Sequence, residues 1–126
     1  MERNDVQVWL DRYLEAWRAN DAELIKPLFS DDAVYRFRPY DDPDRTFRGN
    51  AAIVGAWLDD TDAPESWEAE YEPYAVEGDR AVAVGFSRYL ATEDEPAKTY
   101  HNAYLLRFEP DGRCSEFSEF YMLEGK

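Results

Sequence analysis

Glu119 is the side chain whose setting departs most from the ordinary. Along the extended stretch near the C-terminus, Phe117, Glu119 and Tyr121 share one side, while Glu116, Ser118 and Phe120 share the other. A carboxylate among aromatic rings loses hydration, which raises its pKa and fits it to give or take a proton near neutrality. The competing readings are a water-facing carboxylate on a rim, or an inverted register. Tyr13 offers a phenol that can donate a hydrogen bond to a ligand oxygen; the competing reading is a core tyrosine whose hydroxyl finds a partner or water. His101 is the only histidine, and alternation sets it with Ala103 and Leu105, opposite Asn102, Tyr104 and Leu106. Arg36, Arg38, Arg45 and Arg48 can receive an anionic ligand, but local pairing with Asp41, Asp42 and Asp44 is the favoured reading.

Other chemistries find little support. The Asp41, Asp42 and Asp44 triplet lacks the ordered spacing and the glycine of a calcium loop. With one histidine and one cysteine, Cys114, no zinc or iron site is expected. No glycine-rich phosphate loop and no nucleophile elbow occurs in the sequence. Any catalysis is therefore expected to run without metal or cofactor.

These side chains need elements to hold them. Asn4 or Asp5 caps an expected helix with apolar positions Val6, Trp9, Leu10, Tyr13, Leu14 and Trp17, within an arc of roughly 140°. Asn20 and Asp21 end it and open a short second helix that buries Leu24, Ile25, Leu28 and Phe29, with Pro27 limiting its length. Ala33 to Arg38 alternates as a half-buried strand, Tyr35 and Phe37 on one side, Arg36 and Arg38 on the other. A polar loop from Pro39 to Phe47 precedes a third helix, capped by Asn50 and carrying Ala52, Ile53, Ala56 and Trp57. After the acidic loop Asp59 to Ser66 the pattern is all strand: about Trp67 to Val76, Ala81 to Leu90, Lys98 to Phe108 and Cys114 to Met122. Gly78-Asp79 and Pro110-Asp111-Gly112 supply tight turns, and Pro73 marks an edge or a bulge.

The 126 residues suit one domain, 1–126, and no repeat or linker divides them. The order places helices on one side of a mostly antiparallel sheet, an α+β arrangement. A strongly curved sheet wrapped over helices leaves a concave face where ligand pockets form. Aromatic residues make up 16% of the chain, enough to build either a core or a pocket wall. The formal net charge of −14 disfavours nucleic acid and anionic membranes as partners. A lone cysteine, a polar N-terminus and the lack of a long apolar run lead to a cytoplasmic protein as the expectation.

Four stretches resemble the SnoaL-like and ketosteroid-isomerase-like branches of the nuclear-transport-factor-two-like superfamily. Arg12 to Asp21 (RYLEAWRAND) is similar to the end of the family's first helix and the turn after it. Leu28 to Val34 (LFSDDAV) resembles its lead-in to the first strand. Gly49 to Ile53 (GNAAI) resembles the start of helix three. Leu105 to Phe108 (LLRF), with Asp111, Gly112, Arg113 and Glu116, resembles the final hairpin. The resemblance implies a cone-shaped, cystatin-like α+β barrel in which a curved antiparallel sheet packs on three N-terminal helices.

Residue by residue, the resemblance puts Tyr13 on the isomerase's oxyanion tyrosine and Trp57 on a supporting pocket tyrosine. The proton-abstracting aspartate falls on Phe37, or on Arg38 with a one-residue shift, and the second aspartate on Tyr104. Neither Phe nor Arg can serve as that base, so ketosteroid isomerisation is not expected. Nor is the polyketide-cyclase-like pair of His and Asp complete, because the late aspartate position holds Tyr121 or Met122. The resemblance also turns Tyr104 and Glu119 inward and His101 away. It implies a pocket walled by Trp9, Trp17, Tyr35, Phe37, Trp57, Asn102, Tyr104, Phe117 and Tyr121, with Tyr13 and Glu119 as its catalytic candidates. The expected ligand is a small apolar or aromatic molecule with one oxygen function, handled by isomerase-, cyclase- or dehydratase-type chemistry. The alternative is a non-catalytic ligand-binding or dimerisation module. A homodimer is expected through the outer sheet face, where Ala103, Leu105 and Phe120 point away from the pocket.

Overall fold

In a computed structural model, which describes residues 1–125, helix α1 spans Arg3–Ala19 and buries Val6, Trp9, Leu10, Tyr13 and Ala16. Its cap is Glu2, not Asn4 or Asp5. Asp5 lies inside the first turn, and its carboxylate accepts from the Glu2 N–H at 2.9 Å. Asn20 ends the helix in the left-handed region at φ 53°, a conformation asparagine tolerates well. Asp21 then caps the one-turn helix α2, Ala22–Ile25, by accepting from the Glu23 N–H at 2.9 Å. A 3-10 turn over Lys26–Leu28 follows at Pro27, which cannot donate to an α-helical ladder. Ile25, Leu28 and Phe29 are buried as expected, whereas Leu24 is on the exposed side of the one-turn helix.

Strand β1, Phe29–Arg36, begins four residues earlier than its alternation suggests. A second strand, β2 (Thr46–Arg48), falls in a stretch that reads as loop and pairs antiparallel with β1. Helix α3 spans Asn50–Asp59 and is capped by Gly49, at φ 94°. Asn50 is not the cap: its amide donates to the carbonyls of Lys26 (3.0 Å) and Phe29 (2.8 Å), tying α3 to the start of β1. Of its expected apolar face, Ile53 is buried and Ala52 is exposed, with Val54 buried instead.

The remaining strands are β3 (Trp67–Glu77), β4 (Arg80–Tyr89), β5 (Lys98–Phe108) and β6 (Cys114–Leu123). The six strands form one curved, unclosed sheet in the order β2-β1-β6-β5-β4-β3. The meander β3 to β6 is antiparallel, but β6 runs parallel to β1, setting Tyr35 beside Phe117. The sheet is thus mixed rather than wholly antiparallel. Strand β3 is an edge, and its pairing shifts between Pro73 and Ala75, the two situations in which a strand admits proline.

Helices α1 and α3 cover the concave face, giving an α+β cone around an aromatic core. Phe117 lies at its centre. It stacks on Tyr35 with ring centroids 4.3 Å apart, on Tyr13 at 5.4 Å, and meets Tyr104 at 4.6 Å. Among the described residues no helix is long and apolar enough to cross a membrane.

Candidate functional site

Part of the cone's interior is filled by side chains, and part is open. A cavity of about 910 Å³ lies there between α1, α3 and the concave sheet. Its shape follows from side-chain size. The buried face of β4 carries Ala81, Ala83 and Ser87, with Gly85 between, so that side of the sheet is shallow. Rings from the other elements stand around the space. Tyr13 and Trp17 come from α1, Tyr35 from β1 with Phe37 just after it, and Trp57 from α3. Strands β5 and β6 supply Asn102, Tyr104, Glu119 and Tyr121.

Nine of the eleven residues anticipated from the sequence therefore line one cavity: all except Trp9 and Phe117. These two lie beneath it. Trp9 donates its indole N–H to the Leu28 carbonyl at 3.0 Å and stacks under Tyr13, while Phe117 is wholly enclosed by neighbouring rings. Both are core that holds the wall in place. His101 is on the outer face, 3.1 Å from the Glu124 carboxylate, away from the cavity.

Glu119 sits opposite Tyr104 in the β5–β6 register, on the concave side. It is half-buried, and solvent reaches it through the cavity. Among the described residues its carboxylate has no ion-pair or hydrogen-bond partner. Loss of hydration alone pushes its pKa up to about 7. Five tyrosines from five elements feel its charge: Tyr13, Tyr35, Tyr71, Tyr89 and Tyr104. Burial first, and then this carboxylate among other groups, holds the Tyr13 phenol well above the usual tyrosine range.

Tyr13 and Tyr35 share a buried hydrogen bond, Oη to Oη, at 2.8 Å. A phenol pair holds two protons and uses one between its oxygens. The other remains for a third acceptor. Deeper on the β4 side, Tyr71 Oη and Ser87 Oγ are 2.5 Å apart, and the Asn102 amide donates to both. Asn102 is nine-tenths buried, yet its Oδ1 has no donor.

Tyr71, Ser87 and Tyr89 were not singled out from the sequence. The alternation of β4 carries the signal for two of them, since Ser87 and Tyr89 follow Ala81 and Ala83 on one face. Tyr71 belongs to the inward set of β3 with Trp67 and Pro73. Three of the four arginines pair as the local reading expects, and of the four only Arg38 and Arg45 line the cavity. Arg36 meets Asp41 at 2.5 Å, Arg48 meets the same carboxylate at 3.2 Å, and Arg38 meets Asp42 at 2.7 Å. Arg45 faces the cavity mouth without an ion-pair partner among the described residues. No group of three or more His, Cys, Asp or Glu side chains is placed to hold a metal among those residues.

The fold is shared with solved structures. Rv0760c from Mycobacterium tuberculosis, in complex with estradiol-17beta-hemisuccinate, is 14% identical with a TM-score of 0.72, and the match covers 94% of each chain. A Δ5-3-ketosteroid isomerase from Mycobacterium sp. is 14% identical, TM-score 0.69, over 94% of this chain and 98% of that one. An LEH-like epoxide hydrolase from M. tuberculosis is 12% identical, TM-score 0.68, over 97% of this chain and 86% of that one. Isomerase and hydrolase on one fold mean that the fold by itself assigns no reaction. No curated protein matches the chain in sequence. The SnoaL-like domain family does match, over residues 10–117, from the middle of α1 to the centre of β6, and the chain belongs to that family.

Proposed function

We propose that the chain is a small-molecule receptacle with an acid–base centre, taking an apolar or aromatic compound that carries an oxygen function. The observation that supports this best is the pairing, in one cavity, of an unpartnered carboxylate with a buried phenol pair. A mostly aromatic wall with a few convergent polar groups is the usual composition of such a site. In this reading Tyr35 donates to Tyr13, and Tyr13 donates to the ligand oxygen, stabilising charge that develops there. Glu119, balanced between its two protonation states near neutrality, takes or returns the proton. The Rv0760c complex is consistent with a pocket of this kind holding a small organic ligand.

The test is a thermal-shift series with phenols and aryl ketones. A ligand that binds only the native state raises the melting temperature as its concentration rises. Trp57, whose ring is 5.2 Å from that of Tyr13, stands on the α3 wall. Trp57→Ala is expected to weaken binding about tenfold or more, the loss of one large aromatic contact, whereas His101→Ala leaves it within about twofold. Equal effects of the two substitutions, or no shift with any compound, would count against the receptacle.

The same reading includes a homodimer. The outer sheet face is apolar, with Leu105 45%, Phe120 42% and Met122 65% exposed. A cluster of exposed apolar side chains on one face supports association through it, and two-fold pairing is the commonest closed assembly. Light scattering at micromolar concentration should return about twice the 14.7 kDa chain mass. Phe120→Glu should return the single-chain mass with an unchanged circular dichroism spectrum. A wild-type protein of single-chain mass overturns the dimer.

A further inference from the structure

The charges around the cavity are strongly one-sided. Glu119 stands inside without a counter-ion, and the five tyrosines within reach of its charge, Tyr13, Tyr35, Tyr71, Tyr89 and Tyr104, bring no positive charge. At the mouth, Arg38 is neutralised by Asp42 at 2.7 Å and Lys98 by Glu95 at 3.5 Å. Asp59, Asp60 and Asp62 line the same mouth with no ion pair among the described residues, against Arg45 alone. The chain as a whole carries −14. A cleft lined by one sign of charge with low-dielectric walls concentrates the opposite sign, so the site draws in cations and repels anions.

A second observation is independent of this acidic rim. Asn102 lines the same cavity, and its nine-tenths buried side chain carries an oxygen with no donor. Across the β5–β6 register Asn102 faces Tyr121 and Tyr104 faces Glu119, so the amide and the carboxylate are diagonal neighbours on one face. Two acceptors without donors on one face of the sheet are the complement of a positively charged N–H group. The cavity wall is also rich in aromatic rings, Trp57 among them, and an aromatic wall attracts cations when water is excluded.

We propose that the ligand held in this cavity carries a positively charged amine, seated between Glu119 and Asn102 within the aromatic walls. This rests on the receptacle reading and adds the charge of its ligand. A neutral or anionic ligand would leave Glu119 uncompensated, which is costly for a desolvated carboxylate. An ammonium group supplies the missing counter-charge and favours the ionised form of Glu119, the form that takes a proton.

Three stable phenols separate the possibilities: 3-(aminomethyl)phenol, protonated on nitrogen at both pH values used, its neutral isostere 3-ethylphenol, and 3-hydroxybenzenesulfonate. Their dissociation constants are read from tryptophan fluorescence at pH 8 and pH 5.5. At pH 8 the ammonium compound should bind about tenfold tighter than the isostere, and the sulfonate weakest. At pH 5.5 Glu119 is protonated, and the preference should fall to near parity. Glu119→Gln should give that parity at pH 8 as well. The wild-type pH comparison carries the test if the variant folds poorly. Equal or tighter binding of the isostere or the sulfonate at pH 8 overturns the amine and leaves the receptacle standing. A preference undiminished both at pH 5.5 and in Glu119→Gln overturns the seat beside Glu119. Binding of none of the three overturns both readings.

Discussion

Glu119→Gln is expected to raise the melting temperature at pH 8 by on the order of 10 °C and to leave it nearly unchanged at pH 4. The pKa of Glu119 rises from the ordinary 4.5 to about 7 in the folded protein because burial strips water from its charged form. The native state therefore keeps a proton over a range in which the unfolded chain has already lost it. Stability from this group is present below about pH 4.5 and is lost as pH rises through about 7. A shift of that size corresponds to about 3 kcal/mol of strain at pH 8, which the uncharged amide removes. Asp41 and Asp111 act in the opposite sense. The Arg36 side chain holds the first below the usual carboxylate range, and the Arg113 backbone N–H the second, so both lose their contribution in acid. Only the difference between wild type and variant isolates Glu119. Thermal melts of both proteins from pH 4 to pH 8 provide it. Parallel curves, or a variant less stable at pH 8, would show that Glu119 is well solvated or has found a partner. The same carboxylate is the proposed proton carrier, so the stability cost and the chemical use have one origin.

Gly85→Ala is expected to cost about 3 kcal/mol or more, at the upper end of overpacking effects. Strand β4 carries Gly85 opposite Tyr71 on one side and Asn102 on the other. A methyl group there would lie 1.8 Å from the Glu70 carbonyl oxygen and 2.7 Å from the Tyr71 ring. The first of these is backbone, so a rotamer change cannot relieve it. The β3 edge would have to move outward and draw the Tyr71 hydroxyl away from Ser87 and Asn102. Gly55 supplies the control. It sits on the exposed side of α3 with open space around it, so Gly55→Ala should stabilise by about 0.5–1 kcal/mol through helix propensity. Urea denaturation of both variants gives the comparison. A Gly85→Ala protein within about 0.5 kcal/mol of wild type would mean that β3 shifts freely.

Much of the architecture was legible in the linear pattern. The three- and four-residue spacing of Val6, Trp9, Leu10 and Tyr13 fixes α1, and strict alternation fixes β5, whose bounds match the expectation. Gly78 and Gly112 stand in the left-handed region at the two hairpin turns, where lack of a Cβ matters. The inward face of β6, with Glu119 between Phe117 and Tyr121, follows from the two-residue period of any strand. These features are local, so neighbouring residues specify them.

What the sequence did not determine depends on residues far apart. The parallel pairing of β6 with β1 and the short strand β2 are long-range contacts with no local marker. Alternation assigns a face but not a depth: Trp9 and Phe117 share the inward face with Tyr13 and Glu119, yet lie under the cavity because other rings cover them. Cap positions moved by two or three residues at α1 and by one at α3, where the Asn50 amide is used by the carbonyls of Lys26 and Phe29. The close approach at Gly85 comes from the fold of the neighbouring strand, not from Gly85 itself. Composition determined that this chain would have aromatic rings and acids in plenty. Only the tertiary structure decided which rings fill the core, which stand around an open space, and that one carboxylate among the acids faces that space without a partner.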